Sequence, residues 1–181
     1  MGRLSENSVL VIKNKSHTVS AQVVAPDAGA RGVIVSQGGS FGGWALYAKD
    51  GKPAYCHNLF GLQRLKIAAD APIPPGEHQV RMEFAYDGGG LAKGGTVTLH
   101  IDGDQVAQGR VDATQPMMFS ADETTDVGTD SATPVSDEYG PGDNRFTGRV
   151  CWVQIDIDDA AEDLDHLISP EERLHVAMAS Q

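Results

Sequence analysis

Side chains able to do acid–base, metal or nucleophilic chemistry are present in this 181-residue chain, but few stand at the spacings such chemistry needs. The densest carboxylate group lies in Ser120–Asp130, where Asp122, Glu123, Asp126 and Asp130 place four acids within nine residues. Hard oxygen donors in that number suit Ca²⁺, yet Gly128 follows no D-x-D-x-D run, so the spacing is not that of an EF-hand loop. The segment is expected to be a structured loop whose carboxylates cap local backbone N–H groups or meet a basic partner surface. No metal ligand is assigned. His17, His57, His78, His100, His166 and His175 form no HxH, HxxH or HExxH group, and they are expected at the surface or rim. Cys56 and Cys151 belong to no CxxC pair, which argues against structural zinc. Both have strand-like neighbours, where cysteine behaves as a small buried hydrophobe; a disulfide between them stays open.

Catalytic patterns are missing as well. Asp156, Asp158 and Asp159 come nearest to the paired carboxylates of a glycoside hydrolase, but no companion strand of carboxylates faces them. The chain has no GxSxG elbow, no phosphate-loop GxxxxGK[ST] and no GxGxxG opening a helix. Two glycine clusters, Gln37–Gly43 and Tyr86–Gly95, offer backbone N–H groups that can cradle an anion. Neither leads into a helix, so the dipole that strengthens phosphate loops is missing, and tight strand connections or close approach to another backbone are expected instead. The chain is therefore expected not to be an enzyme.

The elements that must carry these groups are mainly strands. Residues 16–24 alternate, with Val19, Ala21 and Val23 on one side and Thr18, Ser20 and Gln22 on the other. Gly32–Ser36, Trp44–Ala48 and Pro53–His57 are apolar runs, the last two joined by the hairpin signal Asp50-Gly51. Ile67–Ala69, Glu77–Tyr86, Thr96–Ile101 and Gln105–Val111 follow, with turn chemistry at Pro74–Gly76 and Asp102–Asp104. Ser120–Arg145 is polar and expected as a long loop. Phe146–Ile157 is expected as the last strand, Val150 and Trp152 facing one way and Cys151, Val153, Ile155 and Ile157 the other. Twenty-one glycines and nine prolines suit such short strands. The fold expected is all-β, a two-sheet antiparallel sandwich of the jelly-roll, concanavalin A-like kind, over residues 1–158. Residues 159–181 are expected as an acidic helical tail, with Ser169 as N-cap, Pro170 in the first turn and Glu172 completing a capping box.

Charge narrows the partners. Residues 1–119 hold 11 Lys/Arg and 10 Asp/Glu, while residues 120–181 hold 3 and 15, so the net charge of −11 lies in the last third. That surface repels phosphate backbones and excludes nucleic acid as the expected partner. No run approaches the roughly 18 apolar residues of a membrane-spanning helix, and the first residues lack an export signal. A cytoplasmic location and no membrane partner are expected.

The segments NKSHTVSAQVVAP (14–26), GVIVSQGGSFGGWALYAKDGKPAYCHNLFGLQR (32–64), FAYDGGGLAKGGTVTLHIDG (84–103), FSADETTDVGTDSATPVSDEYG (119–140) and FTGRVCWVQIDI (146–157) resemble the C-terminal region of bacterial arylsulfatases. The resemblance implies a non-catalytic accessory domain whose partner, in cis or as a separate chain, is a sulfatase catalytic domain. It would pack on that domain and shape substrate access. The parent would use Ca²⁺ and a formylglycine made within a C/S-x-P-x-R motif. Neither Cys56-His57-Asn58 nor Cys151-Trp152-Val153 matches that motif, so no catalytic residue and no cofactor is assigned to this chain. Candidate interface residues lie in three loops: Gly39, Phe41 and Trp44; Tyr86, Asp87 and Lys93; Asp122, Glu123, Asp126 and Asp130. The alternative is a free-standing lectin-like module binding a glycan through aromatics such as Trp44, Tyr47, Tyr55 and Trp152.

Overall fold

The computed structural model describes residues 4–5, 11–116, 119, 124–131 and 133–158. Two antiparallel sheets face each other. One has the order β1 (Leu4–Ser5), β10 (Thr124–Val127), β3 (Gly32–Gly39), β4 (Gly42–Lys49), β5 (Lys52–Leu59), β6 (Gln63–Ala68). The other runs β11 (Arg149–Ile157), β2 (His17–Ala25), β7 (Gly76–Tyr86), β8 (Lys93–Ile101), β9 (Asp104–Ala113). This is the expected jelly-roll sandwich. The helix expected over 160–179 lies outside the described residues.

Alternation decides the five-stranded sheet. In β2 every second residue is buried, from His17 through Val19, Ala21 and Val23 to Ala25. β7 matches it with Val80, Met82 and Phe84, and β8 with Val97 and Leu99. These side chains meet Ile34, Val35, Trp44, Leu46 and Tyr55 from the opposing sheet to make the main core. Asp50-Gly51 and Asp102-Gly103 both take positive φ (52° and 82°; 51° and 92°), the two-residue hairpin geometry their residue types favour.

Three local expectations change, and the reading of the first glycine cluster narrows to close backbone approach. The glycine-rich stretch 37–43 is mostly ladder: Gly38 pairs with Gly43 and Gly39 with Gly42, leaving only Ser40-Phe41 as the turn. A Cβ on Gly43 would lie 2.2 Å from the Gln37 carbonyl oxygen, so close backbone approach is what the glycine serves. The polar stretch 120–145 contains a strand, β10, whose Thr125, Asp126 and Val127 pair with Gln37, Ser36 and Val35 of β3. In β11 a bulge between Val150 and Trp152 resets the alternation. Val150 then packs inward with Val153, Ile155 and Ile157, while Cys151 and Trp152 are both exposed. Finally, His17, His57 and His100 are buried rather than at the rim. Cys56 is buried, Cys151 exposed, and both thiols are free.

Candidate functional site

β3, β4 and β5 are buried along nearly their whole length, on both faces. Their runs Val33–Val35, Trp44–Ala48 and Ala54–Cys56 do not alternate apolar with polar, and such a strand needs cover on each side. One side is the main core. On the other, Val33, Ala45, Tyr47, Ala54 and Cys56 form a second cluster closed by Val135 and Tyr139. The cover is therefore the polar segment that follows β10.

That segment is pinned by its own polar side chains. Asp130, 2% exposed, accepts hydrogen bonds from the Val135 N–H at 3.0 Å and the Tyr139 hydroxyl at 2.7 Å. Asn144 accepts from the Asp130 N–H and donates to the Asp130 and Gly140 carbonyls. Asp126 accepts from the Ser131 N–H and hydroxyl. Arg64 donates to the Val135 carbonyl, and Lys66 pairs with Asp137, holding that carboxyl below its usual range. At the far end Val33 donates to the Asn144 carbonyl at 2.7 Å and forms a parallel bridge with Arg145.

The cover leaves a cleft of about 310 Å³ beside the β4–β5 hairpin. Tyr47 floors it, and the half-buried ring of Tyr139 walls it, 5.4 Å from Tyr47 and edge-on. Around them stand Arg31, Lys49, Asp50, Glu138, Asp143 and Arg145. Glu138 accepts from the Tyr47 hydroxyl and from Lys49 Nζ at 2.8 Å. Its burial opposes ionisation, but the two donors outweigh it and hold the carboxyl below the ordinary glutamate value. Burial, then the Glu138 hydrogen bond, push the Tyr47 hydroxyl well up, so it stays a proton donor. Arg31 uses only its backbone, exchanging hydrogen bonds with Thr147, and Arg145 likewise makes no side-chain bond among the described residues. Both arginines line the cleft, and neither side chain has a hydrogen bond or ion pair among the described residues. Such an array donates and accepts hydrogen bonds next to an aromatic ring, which is the chemistry a polar ligand matches better than an apolar one.

None of the eight described residues among the ten expected from sequence lines this cleft, and the structure does not gather those eight into one site. Gly39 is buried in the β3 ladder and its carbonyl takes the Asn58 amide. Phe41 is 71% exposed at the β3–β4 turn, at the end opposite Asp50-Gly51. Trp44 is in the core, its indole N–H bound to Gln37 at 3.0 Å, so it presents no surface. Tyr47 and Tyr55 are buried too, leaving Trp152 as the exposed member of the four aromatics. Tyr86 closes the 86–93 loop on itself, its hydroxyl donating to Gly90 and accepting from the Lys93 N–H. Asp87 is held by Arg110, which lowers its carboxyl pKa, and Lys93 is exposed. Asp126 and Asp130 are buried in the cover's own hydrogen bonds, as caps rather than as a partner surface. Asp122 and Glu123 lie outside the described residues. Among the described residues no group of three or more His, Cys, Asp and Glu is placed to hold a metal ion.

A separate internal cavity of about 20 Å³ lies between the sheets, lined by His17, His57, Trp44, Tyr55, Phe84 and Phe119 among others. His17 Nδ1 lies 3.1 Å from the Lys15 carbonyl, which places the proton there and leaves Nε2 bare. Among the described residues, neither His17 Nε2 nor His57 Nε2 has a hydrogen-bond partner. Burial lowers both imidazoles to about 4.

No family model matches the chain, and no curated protein matches it. Solved structures do. The CBM40 domain of the Ruminococcus gnavus IT-sialidase, bound to α2,3-sialyllactose, superposes with a TM-score of 0.59 over 91% of this chain and 89% of that one, at 13% identity. Domains LG4-5 of the mouse laminin α1 chain give 0.55 at 13% identity, covering 86% of this chain and 39% of that one. A heptameric pentraxin from Limulus polyphemus gives 0.48 at 15% identity, with 63% of its length spanned. The first two define the class: a concanavalin-like, laminin-G-like β-sandwich domain. Nothing in these comparisons supports the resemblance to arylsulfatases or a sulfatase partner.

Proposed function

We propose that this chain is a glycan-binding β-sandwich module that holds a saccharide in the cleft between the β4–β5 hairpin and the 138–145 stretch, and that it binds without cleaving. The observation that carries the reading is the make-up of that cleft. Arg31 and Arg145, whose side chains have no partner among the described residues, line it with Asp50, Asp143 and Tyr139 around a volume of about 310 Å³. A polyhydroxylated ligand supplies donors and acceptors to both signs of charge and an apolar ring face to the tyrosine. An apolar ligand would leave those groups desolvated and unmatched, which costs about 1–3 kcal/mol for each. The fold likeness lends support, since the superposed CBM40 structure carries sialyllactose.

A glycan-array screen of the intact chain, followed by calorimetry on any hit, tests the reading. Arg31→Ala removes an exposed side chain whose only bonds are through its backbone. It is expected to weaken binding about tenfold, the loss of one charge-assisted contact, with an unchanged melting temperature. An array without hits, or a hit indifferent to Arg31→Ala and Arg145→Ala, overturns it.

A further inference from the structure

Arg145 lines a second depression as well as the cleft. This groove, about 770 Å³, runs between the end of β10 and the start of β11, from Gly128 and Thr129 past Arg145 and Arg149 to Trp152. Among the described residues its lining contains no Asp or Glu, although the chain as a whole carries −11. Arg149 is exposed and, like those of Arg31 and Arg145, its side chain has no hydrogen bond or ion pair among the described residues. Trp152 is 43% exposed because the β11 bulge turns it and Cys151 outward together. Arg145 and Arg149, both without a side-chain partner among the described residues, thus line the groove together with the exposed Trp152, and Arg145 is shared with the proposed saccharide cleft.

We infer that this groove extends the cleft and selects an oligosaccharide carrying anionic groups, carboxylate or sulfate. The inference rests on the glycan reading above. Guanidinium forks match both anions bidentately, and the Trp152 face gives a sugar ring a stacking surface. The negative charge of the whole chain does not decide the matter. At physiological ionic strength the Debye length is about 8 Å, so distant exposed carboxylates are screened and the charges lining the groove dominate.

The test compares three tetrasaccharides on the intact chain: oligogalacturonate, its neutral methyl ester, and a chondroitin sulfate fragment. The expected result is that at least one anionic probe binds about tenfold more tightly than the methyl ester. Arg149→Ala should abolish that preference while leaving the melting temperature unchanged. Whether carboxylate or sulfate supplies the charge is read from which anionic probe binds. Bound anionic probe should also slow alkylation of Cys151, the exposed thiol in the groove. Equal affinity for charged and neutral probes, or a preference that survives Arg149→Ala, overturns the inference and leaves the glycan reading standing. An array without hits removes the reading itself.

Discussion

Acid should destabilise this protein over a window set by two core histidines. His17 and His57 are 7% and 4% exposed, share one small cavity and are lowered by burial from 6.5 to about 4. A histidine depressed in the folded state binds its proton more readily when unfolded, so it costs stability as pH falls from 6.5 towards 4. A displacement of that size corresponds to about 3 kcal/mol for each group once both states are protonated. Between pH 7 and pH 5 the loss is about 2 kcal/mol per histidine, hence roughly 4 kcal/mol for the pair. Other groups leave this window clear. Asp87, Asp102, Asp137 and Glu138 are held below their usual values, so the stability they add is lost only at lower pH. His78 is raised by its hydrogen bond to Asp102, so it adds stability at low pH that fades as pH rises through its folded value. That opposes the trend, but a surface pair of this kind is worth at most about 1 kcal/mol. Urea unfolding at pH 7, 6 and 5 should show the decline in the wild type and a nearly flat profile in His17→Phe/His57→Phe. A wild-type stability that is level across this range, or an undiminished slope in the double variant, would refute the reasoning.

Three further outcomes follow from the same packing. Asp130→Ala removes the acceptor for the Val135 N–H and the Tyr139 hydroxyl; a loss of roughly 2–4 kcal/mol should lower the melting temperature by about 5–15 °C, and an unchanged transition would deny that this carboxylate pins the cover. With a thiol reagent at pH 8, Cys151 should react at once and Cys56 only on unfolding, because burial pushes the Cys56 thiol up to about 11; two fast equivalents would contradict the placement of Cys56. Gly43→Ala, whose Cβ would meet the Gln37 carbonyl at 2.2 Å, should destabilise by about 3 kcal/mol or more, whereas Gly103→Ala, with nothing within 4 Å, should cost less; thermal melts showing equal losses would contradict the close approach.

Much of the framework was legible in the sequence because it rests on local rules. The two-residue period of 16–24 set the inward face of β2, and Asp50-Gly51 and Asp102-Gly103 marked hairpins. That same period puts His17 in phase with Val19, so its burial carried a signal in the sequence. β10 carried none: Thr-Thr-Asp-Val is short and polar, and it pairs with β3 because the sheet edge there is open to it. The bulge beside Cys151 broke an otherwise correct alternation, since an inserted residue leaves no mark in composition. The unbroken apolar runs of β3 to β5 did announce that both faces are covered, but not that the polar 128–147 stretch is the cover. The cleft stayed hidden because its groups come from three separate segments, around Arg31, Lys49 and Asp143, and only the folded cover brings them together.

The central claim is that the 31/49/139/145 cleft holds a saccharide. Its most direct test is a ¹⁵N-labelled NMR titration of the chain with an oligosaccharide identified by the array. Saturable shifts are expected at the backbone amides of Arg31, Lys49, Tyr139 and Arg145, with those of Phe41 and Phe60 at the opposite end unmoved. Shifts confined to that opposite end, or none at saturating ligand, would contradict it.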